Sequence, residues 1–98
     1  MLELVKSETF DAWMRAPKDR RAKARIQMRI DRLSLGNPGQ HRYLACGINE
    51  MKIDHGTGYR VYYTMRGNWL VILLCGDDQR SQQADIANAV HIAEALEH

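Results

Sequence analysis

At 98 residues, 45% of them apolar, the chain has room for one domain with one modest core. The longest apolar run, Trp69 to Cys75, is far short of the ~20 residues of a membrane span. The N-terminus lacks the basic and apolar regions of a signal peptide, so a cytoplasmic protein with reduced cysteines is expected. The formal charge of +2 conceals a split. Residues 1–66 hold 13 Lys/Arg against 7 Asp/Glu, whereas residues 67–98 hold 1 against 5. Such a split suits a basic patch facing a polyanion or an acidic partner, and equally suits solvated helix faces.

Leu2 to Val5 alternates weakly and predicts a short first strand. Ser7 is placed to cap a helix from Glu8 to about Ala16, with Phe10, Trp13 and Met14 inward and Pro17 ending it. Asp19 is the next cap, for a helix from Arg20 to Leu35 stopped by Gly36 and Pro38. Ala22, Ile26, Ile30 and Leu33 form its apolar stripe, while Arg21, Arg25, Arg29 and Arg32 recur on another face. That arginine stripe is either solvated or docks nucleic-acid phosphates or an acidic segment.

After the turn-rich Gly36 to Gln40, His41 to Leu44 suits a strand, interrupted at Cys46-Gly47. Three further apolar runs follow: the segment ending Met51-Lys52-Ile53, then Tyr59 to Met65, then Trp69 to Cys75. Gly56-Thr57-Gly58 and Arg66-Gly67-Asn68 separate them, the pattern of consecutive antiparallel strands. Asp78 or Ser81 would cap a final helix reaching Leu96, with Ile86, Ala89, Val90 and Ala93 inward. Leu96-Glu97-His98 resembles the junction of a histidine-tag vector and is set aside, leaving one domain over residues 1–95. The fold class expected is α+β, with helices on one face of a curved antiparallel sheet. Cys46 and Cys75 are expected to be small buried apolar residues without a disulfide.

No metal constellation is legible, since His41, His55, His91 and His98 lack ligand-like partners, and neither a phosphate loop nor a serine nucleophile elbow is present. No metal or other cofactor is therefore expected. What stands out is a set of cations: Lys52 and Arg60 on neighbouring strands, and Arg80 beyond the last strand. Converging cations suit a phosphodiester and the extra charge of its transition state, and outward-pointing residues of an exposed sheet face are the alternative. His55, beside a glycine turn, and Asp85 are candidate proton carriers, and Asp78 suits a helix cap. Tyr59 and Tyr63 fall on one strand face and Tyr62 on the other, for base stacking or for packing.

Taken in order, Glu50-Met51-Lys52-Ile53, Gly58-Tyr59-Arg60-Val61-Tyr62-Tyr63, Leu70 to Asp78 and Gln82-Gln83-Ala84-Asp85-Ile86-Ala87 resemble the RelE/ParE toxin superfamily. The resemblance is to its phage-derived addiction module killer protein, or HigB-like, branch. Phe10-Asp11-Ala12-Trp13, Asp19 to Ile26 and Arg32 to Asn37 are similar too, so the resemblance spans nearly the whole chain. It implies a RelE-like fold of two N-terminal helices on a curved antiparallel sheet with a C-terminal helix. It implies a type II toxin, paired with a cognate antitoxin that is a small helix-turn-helix protein, cleaving mRNA on the ribosome without a metal. In that likeness Lys52 and Arg60 match the strand lysine and arginine that bind the scissile phosphate, and Arg80 the arginine past the last strand. The basic helix with Arg21, Arg25, Arg29 and Arg32 would meet ribosomal RNA. The family's C-terminal catalytic tyrosine or histidine has no counterpart, Ala84 standing near its place, which leaves His55 and Asp85 as candidate bases. ParE-like members inhibit DNA gyrase without cutting nucleic acid, and a toxin fold that only binds its antitoxin is a third alternative.

Overall fold

The computed structural model describes residues 1–78 and 82–96, without the side chains of residues 82–85. The elements are β1 (Glu3–Lys6), α1 (Glu8–Arg15), α2 (Arg20–Ser34), β2 (His41–Ala45), β3 (Ile48–Ile53), β4 (Tyr59–Arg66), β5 (Leu70–Asp77) and α3 (Gln82–Leu96). An α+β fold with one five-stranded sheet and three helices results.

Local chemistry sets most boundaries. The Ser7 hydroxyl accepts from the Phe10 amide at 3.0 Å and donates to the Leu74 carbonyl at 2.6 Å, so one residue caps α1 and pins it to β5. The Asp19 carboxylate accepts from the Arg21 amide at the start of α2. At its end, Gly36 (φ 89°) takes the left-handed conformation. The Gly36 amide donates to Leu33 O and the Asn37 amide to Arg32 O, closing the helix with the paired bonds of a Schellman motif.

The strand order is β1-β5-β4-β3-β2. The three pairs among β2 to β5 are antiparallel as expected, but β1 lies parallel to β5, with Glu3 opposite Leu70 and Lys6 opposite Leu73. The sheet is therefore mixed, because β1 takes the far edge before the chain crosses through α1 and α2. The helices also divide between faces. Met51, Ile53, Val61, Tyr63, Val71 and Leu73 pack against Phe10 of α1 and Ile26, Ile30 and Leu33 of α2. Ile48, Tyr62, Ile72, Leu74 and Cys75 pack against Ala89 of α3, with Ile86, Val90 and Ala93 beside it. The single covered face expected from the sequence is corrected here. The residues Val61 to Thr64 of β4 and Val71 to Cys75 of β5 are buried without alternation, and a strand buried on both sides needs a cover on each. Each fully buried Ile or Leu contributes about 1.5–3 kcal/mol of transfer free energy.

A bulge opposite Tyr62 and Tyr63 carries Leu74 and Cys75 into the same cluster. The β2–β3 hairpin turns on Cys46 (φ 54°) and Gly47 (φ 78°), both positive as a two-residue primed turn requires. Cys46 is consequently exposed rather than buried, and Cys75 is buried.

Candidate functional site

Strand periodicity assembles the site. Lys52 stands directly opposite Arg60, and Glu50 opposite both Tyr62 on β4 and Arg42 on β2. Arg60 in turn stands opposite Asp77 of β5. Residues two apart on a strand share a face, so beyond Ile48 and Tyr62 the α3 face of the sheet changes from apolar to charged. Gln40, His41, Arg42, Glu50, Lys52 and Arg60 line a cleft of ≈ 300 Å³ there.

Arg60 is its partly buried centre, with a side chain 14% exposed. Its Nε lies 3.8 Å from Glu50 Oε2 and its Nη1 3.8 Å from Asp77 Oδ1. Glu50, only 5% exposed, also meets Arg42 Nε at 3.4 Å through its other oxygen. Arg60 Nη1 is buried with no hydrogen-bond acceptor in reach among the described residues. The Tyr62 hydroxyl donates to Asp77 Oδ2 at 3.1 Å. Burial, helped by the Asp77 and Glu50 charges, pushes that phenol far above the tyrosine range, so it remains a donor. The half-buried Lys52 completes the set, and no ion pair of its ammonium is formed among the described residues. The cleft thus offers a cation without an ion pair among the described residues, a second held between two carboxylates, and a carboxylate, Glu50, within the same wall.

The residues expected from the sequence fare differently. Lys52 and Arg60 meet across one rung. Arg80 and the Asp85 side chain lie outside the described residues. His55 does not line the cleft: its Nε2 sits 3.1 Å from Asp19 Oδ2, at the start of α2. That contact, followed by the Arg21 amide, holds the Asp19 carboxyl below its usual range. Arg21, Arg25 and Arg32 are exposed, but Arg29 turns inward. It donates to the carbonyls of Lys52 (2.6 Å), Pro38 (2.9 Å) and Gln40 (3.0 Å), which takes it out of the solvent-facing arginine stripe. Tyr62 and Tyr63 are buried in opposite clusters, so neither ring is open to a stacking base.

Sequence reasoning missed Glu50, Asp77 and Arg42. Glu50 was within reach, because Glu50-Met51-Lys52 on a strand puts both charges on one face. Arg42 and Asp77 required the strand registers. Among the described residues no group of three His, Cys, Asp or Glu side chains is placed to hold a metal ion, and no helix is long and apolar enough to cross a membrane.

No family model matches the chain, and no solved structure matches it. A Haemophilus influenzae protein described as "Uncharacterized protein" is 44% identical over 95 residues, which cover 97% of this chain and 96% of the relative. The two chains belong to one family.

Proposed function

We propose that this protein is a RelE-like toxin that cuts mRNA on the ribosome and is held in check by a small helix-turn-helix antitoxin in the same cytoplasm. The observation that carries this is the convergence of Lys52, Arg60 and Glu50 in one cleft. Cleavage of RNA by its own 2′-hydroxyl needs three things: a proton acceptor for that hydroxyl, positive charge at the phosphate, and a rigid frame for both. In this mechanism the Glu50 carboxylate takes the 2′-hydroxyl proton as the oxygen attacks the adjacent phosphorus. Lys52 offsets the charge gathering on the non-bridging oxygens. The bond to the 5′-oxygen breaks, that oxygen takes a proton from solvent, and a 2′,3′-cyclic phosphate is left. Arg60 orients Glu50 from behind and adds its field. The exposed Arg21, Arg25 and Arg32 of α2 supply phosphate contacts to ribosomal RNA.

Purified protein added to translating ribosomes, with the 5′ ends of the message mapped, tests this. Cuts are expected with the wild type, and Glu50→Gln is expected to slow them by about 10²–10⁴-fold, the usual worth of a positioned base. Intact message at high protein concentration refutes the nuclease. One observation favours a second reading, in which the protein inhibits gyrase or only binds its antitoxin: Glu50 and Asp77 flank Arg60 and offset its charge. A supercoiling assay separates these, since a gyrase inhibitor blocks supercoiling while leaving message whole.

A further inference from the structure

β2 begins at His41, so no strand residue of β2 stands opposite the Lys52 carbonyl. The Lys52 amide reaches the last available acceptor, Gln40 O, at 3.0 Å. The carbonyl of the same residue is taken up by a side chain from the other side of the sheet: Arg29 Nη1 donates to it at 2.6 Å. The second arm of the guanidinium donates to Gln40 O at 3.0 Å and to Pro38 O at 2.9 Å. One planar group therefore substitutes for the missing strand, bonding Lys52 and Gln40, two residues that line the cleft. The loop is built to admit it. Gly39 has φ +66°, and a Cβ there would lie 2.9 Å from Arg29 Nη2. The other end of the clamp is rigid, because Ile26 and Ile30, on either side of Arg29 along α2, are buried in the core.

We propose that Arg29 is a positioning residue of the site, a guanidinium clamp that fixes the backbone of Lys52 and Gln40 to α2 and so sets where the Lys52 ammonium stands. This rests on the nuclease function proposed above. Lysine cannot replace it, since a single ammonium lacks the planar fork that reaches three carbonyls in two directions.

The test measures cleavage on translating ribosomes as a function of protein concentration. Arg29→Lys is expected to lower the saturated rate by about tenfold or more, the scale of a sub-ångström to ångström displacement of a reacting group, with the half-saturating concentration unchanged. Arg25→Ala, on the exposed stripe, is expected to do the reverse. Gly39→Ala keeps Arg29 but crowds its guanidinium, and is expected to reproduce Arg29→Lys. Free guanidinium ion is expected to restore rate to Arg29→Gly. Hydrogen exchange at the Lys52 amide gives a readout that needs no cleavage: it should accelerate in Arg29→Lys and in Gly39→Ala. A raised half-saturating concentration with an unchanged rate would show Arg29 to be an RNA contact and overturn the clamp. So would a Lys52 amide whose exchange ignores both substitutions. If the wild type cuts no message, the protein is not this nuclease, and amide exchange alone decides the clamp.

Discussion

Arg60→Ala is the substitution whose outcome depends most on the tertiary structure. A cation on an exposed strand face can be removed within about 0.5 kcal/mol. Arg60 is not such a residue, because its side chain is 14% exposed and lies 3.8 Å from carboxylate oxygens of both Glu50 and Asp77, themselves 5% and 10% exposed. Deleting it leaves the buried Glu50 and the partly buried Asp77 without the cation between them. Removing one partner of a buried ion pair costs about 3–5 kcal/mol. Two features reduce that figure here. The contacts are long, and Arg42 still meets Glu50 at 3.4 Å. A loss of about 2–3 kcal/mol is therefore expected, equivalent to a fall in Tm of roughly 10–20 °C for a domain this small. Thermal unfolding by circular dichroism measures it. The double variant Arg60→Ala with Glu50→Gln should regain part of the loss, since it removes one of the two anions that had faced Arg60. A Tm for Arg60→Ala within about 2 °C of wild type would refute the ion-pair account, and loss of the proposed message cleavage in that variant would then report directly on the cleft. Lys52→Ala, at a residue with no ion pair among the described residues, makes the cleaner functional test.

Three other expectations follow from single contacts. Ser7→Ala removes the α1 cap and leaves the Leu74 carbonyl short of a donor, at a cost of about 1–2 kcal/mol by urea unfolding; no change in midpoint would deny the cap its role. Gly76→Ala puts a Cβ 2.5 Å from the Trp13 ring, which should cost about 1–3 kcal/mol and shift the indole emission; an unshifted spectrum at full stability would contradict the close approach. Asp19→Asn keeps a capping side chain but loses the anion beside His55. The folded Asp19 carboxyl lies below its ordinary 3.8, so its stabilisation is present above that pH and lost as pH falls through the folded value. The Tm gap between wild type and Asp19→Asn should accordingly close as pH drops below 3.8, and a gap that persists in acid would show that the charge is not the cause.

What the amino-acid sequence determined by itself was local. Ser7 and Asp19 as caps, Pro17 and Gly36 as stops, the apolar stripe Ala22, Ile26, Ile30 and Leu33, and the glycine turns between strands all act within a few residues, and each falls where the sequence places it. That Lys52 and Arg60 stand on neighbouring strands was legible for the same reason, whereas the register that sets them on one rung came with the paired strands. The tertiary structure alone decided what depends on distant partners. β1 joins β5 in parallel across 67 residues, and the unalternating burial of β4 and β5 sends α3 to the face opposite α1 and α2. Arg29 left its stripe because a carbonyl on β3 had no strand to pair with, and an unsatisfied backbone acceptor attracts whichever donor the core can deliver. The two carboxylates around Arg60 came from β3 and β5, and a charge network is set by register rather than by spacing along the chain.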